Sequence, residues 1–206
     1  MAGKVITVAQ QKGGAGKTTV AIHLALAWHH AGRRVALIDI DPQESLSQWF
    51  ALRKAGPVVT TVAGWRASPE IDRARQAADL VVVDSPPHAE TEAKTAIRSA
   101  DLVVIPIQPS PLDLWASRPT IELARQERRR VVLVLNRVSP RSAIAVEMAD
   151  AASKLGADLA TARLGNRGSF AASIAVGRGV GETAPDTIAA REAAKLAREI
   201  LRRAGD

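Results

Sequence analysis

Short runs of β-branched and aliphatic residues alternate along this chain with longer stretches in which apolar positions recur every three or four residues. The runs VITVAQ (5–10), VALIDI (35–40), VVTTV (58–62), LVVVDS (80–85), LVVIPI (102–107) and VVLVLN (131–136) predict six strands, and DLATARL (158–164) a seventh. Helical spacing predicts helices near 17–31, 44–54, 69–78, 91–99, 113–128, 142–154 and 186–203, with another near 168–176. Strands that are apolar at successive positions, without alternation, belong to a parallel sheet covered on both faces. The expectation is an α/β fold: one doubly wound, mostly parallel, seven-stranded sheet with helices on both faces, residues 1–206 forming a single domain. In such sheets ligands bind beyond the carboxyl ends of the strands.

The segment KGGAGKTT (12–19) lies at such an end, between the first strand and the first helix. Glycines there let backbone N–H groups turn inward around phosphates, the helix start adds its positive end, and a lysine reaches the β and γ phosphates. Gly13, Gly14 and Gly16 supply the freedom, Ala15 the remaining loop position, Lys17 the charge and Thr18 a hydroxyl for magnesium. The pattern G-x-x-x-x-G-K-[ST] is not met in full, because Gln11 stands where the first glycine belongs. A second lysine, Lys12, precedes the glycines.

A P-loop ATPase also needs carboxylates at neighbouring strand ends. Asp84 ends LVVVD, the position expected to bind magnesium, and Asp39 and Asp41 end VALIDID, where alternation puts both on one side. An aspartate after one strand is usually a loop or cap residue; three of them after two strands, beside a lysine loop, point to a metal–phosphate site.

KGGAGKTT, ALIDIDPQ (36–43) and VVVDSPP (81–87) together resemble the deviant Walker ATPases of the ParA/MinD group, more narrowly the small ParA-type proteins. The resemblance implies a P-loop NTPase fold, ATP and Mg2+ as cofactors, and slow, partner-stimulated hydrolysis. It implies that Lys12 crosses a nucleotide-sandwich homodimer to the phosphates of the other copy, where it offsets the repulsion of two facing triphosphates. It further implies Thr18 as magnesium ligand, Thr19 near the α-phosphate, Asp41 positioning the attacking water and Asp39 supporting the magnesium shell or the strand end. Asn136, at the end of VVLVLN, becomes an adenine contact or a turn residue. The segment PIQPSPLD (106–113) resembles a proline-rich segment of the small ParA proteins that lies near the nucleotide and interface; the plainer alternative is a rigid loop entering a helix capped by Asp113.

Composition narrows the choice among relatives. The chain has no cysteine and no tyrosine, which excludes a cysteine-held iron–sulfur cluster and a tyrosine-rich phosphorylated tail, and its four histidines lack metal-ligand spacing. No apolar run approaches the roughly 18–20 residues of a membrane span and the start lacks signal-peptide order, so a cytoplasmic, nucleoid-associated protein is expected. The formal charge is +7, with 12 Lys/Arg against 11 Asp/Glu in residues 1–117 and 16 against 10 in 118–206. A basic half suits a polyanion or an ordinary solvated surface equally. Arg163, Arg167 and Arg178 fall in a stretch without acidic residues, and Arg202 lies on the basic face of the last helix; these four are the candidate contacts to nonspecific DNA. The tail relies on alanines rather than Trp or Phe, which argues against membrane insertion. The reading is thus an ATP-dependent dimerising switch that binds nucleoid DNA, positions a plasmid, chromosome region or protein cargo, and is stimulated by a ParB-like or other adaptor. A MinD-like membrane-cycling regulator, a nucleotide-controlled polymerising scaffold and, least favoured, a metabolic P-loop ligase are the alternatives.

Overall fold

The structure is a computed structural model that describes residues 2–53, 55–87, 90–139 and 145–205. Its strands are β1 (Lys4–Val8), β2 (Val35–Asp39), β3 (Val58–Thr61), β4 (Leu80–Asp84), β5 (Leu102–Ile107), β6 (Arg130–Leu135) and β7 (Asp158–Leu159). They form one sheet in the order β3-β2-β4-β1-β5-β6-β7, and every pairing is parallel. The helices are α1 (Lys17–His30), α2 (Ser45–Ala51), α3 (Ala67–Ala77), α4 (Glu90–Ser99), α5 (Pro111–Gln126), α6 (Ala145–Lys154), α7 (Gly168–Ile174), α8 (Val180–Thr183) and α9 (Ile188–Arg203).

Strand alternation divides the core between two faces. Ile6, Val82, Val104 and Val134 pack with α1, α2 and α7–α9, while Val5, Val81, Val103 and Leu133 turn to the other side, toward α3–α6. Both faces are therefore dry, which is why the strands read as unbroken apolar runs. The chain leaves β1 toward β2 on one side and returns from β4 to β5 on the other, so the loop after β1 sits where the strand order reverses.

Three expectations are corrected in detail. The seventh strand was expected over 158–164, but β7 is only Asp158–Leu159. Beyond it the backbone N–H groups of Thr161 and Ala162 donate to the carboxylate of Glu199 on α9, at 3.0 and 2.7 Å, instead of continuing the ladder. The chain then runs along the end of β6, Leu164 N–H donating to Leu135 O and Val138 pairing with Gly165. The segment 106–113 is not one loop, since Pro106 and Ile107 lie within β5 and Pro111 opens α5. The cap of α5 is Ser110, whose hydroxyl accepts from Asp113 N–H. The helix expected over 142–154 is seen from Ala145; residues 142–144 lie outside the described residues. The short α8 and a 3-10 turn at Gly64–Arg66 were not anticipated.

The terminal helix α9 lays Ala193, Leu196, Ala197 and Ile200 into the core, and Trp28 of α1 donates its indole N–H to Ala197 O at 3.1 Å. Burying the Leu196 and Ile200 side chains contributes about 1.5–3 kcal/mol each. The apolar face of this helix is used inside the protein. No helix among the described residues is long and apolar enough to cross a membrane.

Candidate active site

Between β1 and α1 the backbone turns left-handed at Gly14 (φ 75°) and Gly16 (φ 95°), a conformation that costs glycine little and other residues much. At Gly16 a Cβ would also run into the side-chain amide of Asn136. The first turn of α1 has no side-chain cap and no acidic residue, so its N–H groups and positive end face the loop interior, and Lys17, its first residue, is buried there. Gly13 and Gly14 are exposed, whereas the Ala15 methyl is buried. These features together form an anion cradle at a helix start.

Asn136, expected as an adenine contact or a turn residue, reaches the loop itself. Its Nδ2 donates to Ala15 O at 2.9 Å and its Oδ1 accepts from Arg137 N–H at 2.9 Å. Its side chain therefore ties the end of β6 to the crest of the loop, and the close approach it makes there explains the glycine at position 16.

The Thr18 hydroxyl donates to Asp84 Oδ2 at 2.6 Å, while Asp84 Oδ1 is buried without a partner. Burial pushes the Asp84 carboxyl up to about 7, with Asp39 and Asp41 adding in the same direction and Thr18 and Lys17 opposing. Burial likewise lowers the Lys17 ammonium, offset by Asp84 and Asp41. A buried, unpartnered carboxylate oxygen beside a threonine hydroxyl fits a hard, oxygen-seeking cation. Among the described residues no cluster of His, Cys, Asp and Glu could hold a metal alone. The arrangement therefore suits Mg2+, which keeps several waters and takes phosphate oxygens as ligands.

Asp39 was expected to support the magnesium shell or the strand end, and the contacts it makes are those of the strand end. It is fully buried, with Oδ1 accepting from Asp41 N–H and Oδ2 from the backbone and hydroxyl of Ser47, at 3.1, 2.9 and 2.8 Å. Both oxygens are engaged in fixing the end of β2 to the start of α2. Asp41 lies just past the strand, its Oδ1 accepting from Gln43 N–H at 2.9 Å, and its charge acts on both Lys17 and Asp84. Thr19, in the first turn of α1, presents its carbonyl to His23 Nδ1 at 2.7 Å. Lys12 turns elsewhere: its ammonium lies 2.7 Å from Asp113 Oδ2.

Sequence reasoning assigned no role to His23. Its Nδ1–H donates to Thr19 O and its Nε2 accepts from Val180 N–H at 3.1 Å, a pairing that requires the neutral ring. Burial lowers its pKa accordingly. His23 and Asp84 thus act on stability with opposite signs. The Asp84 contribution is complete below the ordinary 3.8 and lost as pH rises toward 7; the His23 contribution is complete above 6.5 and lost as pH falls. Each changes stability by at most about 1.4 kcal/mol per pH unit. In nucleotide-free protein the two slopes oppose each other in the window just below pH 6.5. Asp84→Asn should unmask the histidine, so that denaturant-derived stability rises with pH across that window. A variant whose stability stays flat there would show that His23 takes up its proton without cost.

The candidate DNA contacts do not form one patch. Arg167 is paired with Glu192 at 2.7 Å, so it is not the uncompensated cation its neighbourhood in sequence suggests, and Glu192 also accepts from Gly165 N–H. Arg163 is exposed in the same segment, which runs past the carboxyl end of β6. Arg178, also exposed, lies near His29 and His30 at the far end of α1, and exposed Arg202 is in the last turn of α9. The first pair sits toward the carboxyl ends of the strands and the second pair toward the amino ends.

Residues 6–165 match a known family, the CobQ/CobB/MinD/ParA nucleotide binding domain. The chain belongs to that family. As a ParA/MinD-type ATPase it takes ATP with Mg2+. It is 33% identical over 182 residues to the maintenance of carboxysome distribution protein A of Halothiobacillus neapolitanus, covering 84% of each chain. Its fold matches that of the septum site-determining protein MinD of Pyrococcus horikoshii complexed with Mg-ADP, with a TM-score of 0.82, 18% identity, and 98% and 97% of the two chains covered. It also matches pNOB8 ParA bound to nonspecific DNA, with a TM-score of 0.61, 22% identity, and 75% and 74% covered. As a ParA/MinD-type ATPase it falls among proteins that partition or position cargo.

Proposed function

We propose that this ATPase is a dimerising switch: bound to ATP it pairs with a second copy, the pair binds DNA without sequence preference, and an adaptor on a cargo triggers the hydrolysis that releases it. The observation that carries the reading is that its two loop lysines have different destinations. Lys17 is buried beside Asp84 and Asp41, whereas Lys12 is 39% exposed and held by Asp113, next to the exposed Leu112 and Trp115. A cation outside its own carboxylate site, on a partly apolar rim, is available to a second copy.

On this reading Lys17 and the start of α1 neutralise the phosphate charge, and Thr18 with Asp84 holds the magnesium ion, which supplies Lewis-acid stabilisation of charge on the phosphates. Asp41 orients the attacking water from the loop after β2. Lys12 of the second copy completes the charge balance when the two sites meet. Hydrolysis removes the phosphate that Lys12 bridges, and the copies part. Cargo positioning is supported by the relative from Halothiobacillus neapolitanus, and DNA as the matrix by the ParA protein solved on nonspecific DNA. A membrane-cycling role is disfavoured because the apolar face of α9 is packed on α1.

The test is a DNA titration of the intact protein with a non-hydrolysable ATP analogue, with ADP and without nucleotide. Binding is expected only with the analogue, weakening steeply with salt. Arg178→Ala and Arg202→Ala should each weaken it several-fold, while Arg167→Ala, which removes a partner of Glu192, should lower the melting temperature as well. Equal DNA binding in all three nucleotide states would overturn the switch.

A further inference from the structure

Asp113 holds Lys12 in a way that suits release. Its carboxylate is buried and accepts from three groups: Lys12 Nζ at 2.7 Å, Ser110 Oγ at 3.1 Å and Gln108 N–H at 3.4 Å. It also lies in the first turn of α5, where the helix end favours a negative charge. If Lys12 leaves, Asp113 keeps two hydrogen-bond donors and the helix end. The lysine, by contrast, is 39% exposed, and its side chain crosses 101 residues of sequence to reach this one carboxylate. One side of the pair is thus fixed and the other is detachable.

The surroundings make the pair a feature of a contact face. Leu112 and Trp115 flank Asp113 and are 67% and 55% exposed, and Gly13, next to Lys12, has open space around it. We propose that Asp113 is a positioning residue that holds Lys12 in a self-paired state in the single copy, and that the lysine exchanges this carboxylate for the phosphates of a second copy when the dimer closes. The inference rests on the dimer reading above and adds to it a cost of entry: the lysine that joins the copies is withheld until phosphate charge outcompetes Asp113. Bound triphosphate, with more charge than diphosphate, wins that competition, so Asp113 sharpens the discrimination between nucleotide states.

With its lysine 39% exposed and its carboxylate holding two other donors, the pair contributes a factor of about 1.5 to 5. Two such pairs open per dimer, so Asp113→Asn is expected to lower the dimer dissociation constant about 2- to 25-fold. The measurement is sedimentation velocity over a range of protein concentrations, with a non-hydrolysable ATP analogue and Mg2+. Asp113→Glu, which keeps the carboxylate, should stay near wild type, and the gain from Asp113→Asn should vanish in the Lys12→Ala background. Separately, competitive acetylation of nucleotide-free protein read by mass spectrometry should show Lys12 modified several times faster in Asp113→Asn, with Asp113→Ser as the substitute should asparagine not fold.

A merely structural role would weaken dimerisation or leave it alone, so a tighter dimer is the supporting result. If the wild type dimerises but Asp113→Asn is no tighter, the exchange is overturned and the dimer reading stands. If Lys12 reactivity is unchanged, the pair does not hold the lysine in solution and the exchange is again overturned. A wild type that stays monomeric with saturating analogue overturns the dimer reading itself, and the exchange with it.

Discussion

Lys17→Ala is expected to eliminate measurable nucleotide binding while the unliganded protein remains folded. Lys17 opens α1 within the cradle formed by the left-handed turns at Gly14 and Gly16, and it is the buried cation that Asp84 and Asp41 act upon. Removing one partner of a desolvated charge contact costs about 2–5 kcal/mol, a loss of affinity of roughly 30- to several-thousand-fold. The fold should survive because burial already disfavours the Lys17 charge and the neighbouring core of Val8, Val20 and Ala21 is untouched. Isothermal titration with ATP and Mg2+, alongside a thermal melt, separates the two effects. Affinity within tenfold of wild type would remove Lys17 from the phosphate site.

Asp41→Ala should do the reverse, keeping nucleotide and dimer but stopping turnover. Its backbone N–H, not its side chain, supports Asp39, so truncation leaves the end of β2 in place. What disappears is a carboxylate on the loop beside the phosphate site, and loss of a group that orients or deprotonates the attacking water typically costs about 10²–10⁴-fold in rate. The expected outcome is an ATP-loaded dimer, visible by light scattering, that releases phosphate at least about a hundredfold more slowly. Undiminished phosphate release would show that the water is positioned by another group.

The outcome for individual residues shows how far the chain could be read from its letters. The juxtaposition of Lys17, Thr18 and Asp84 was legible because strand, glycine turn and helix place them through local geometry: a carboxylate at the end of β4 pairs in register with the end of β2, and β4 also pairs with β1, whose loop carries the lysine. The two faces of the sheet were legible for the same reason, since burial on both sides leaves apolar residues at every strand position. The contacts that Asn136 and Asp39 make were not legible, because no local pattern reveals the groups their side chains meet. Asn136 serves Ala15, 121 residues away, and Asp39 serves Ser47, whose hydroxyl also meets Thr61. The end of β7 was misplaced because Glu199, nearly forty residues downstream, captures the N–H groups that would have extended it. The arginines were grouped by sequence although Arg167 is held by Glu192 and Arg178 lies at the other end of α1.

That last separation follows from the length of α1, whose 14 residues span about 21 Å. The helix starts at the phosphate cradle, and less than two turns later carries the imidazole to which Val180 donates its N–H. Arg178 stands two residues before Val180, its carbonyl accepting from the indole of Trp49 on α2. One unbroken helix therefore joins the phosphate cradle to the segment that carries Arg178, so the spacing between the two is set by its length rather than by a loop.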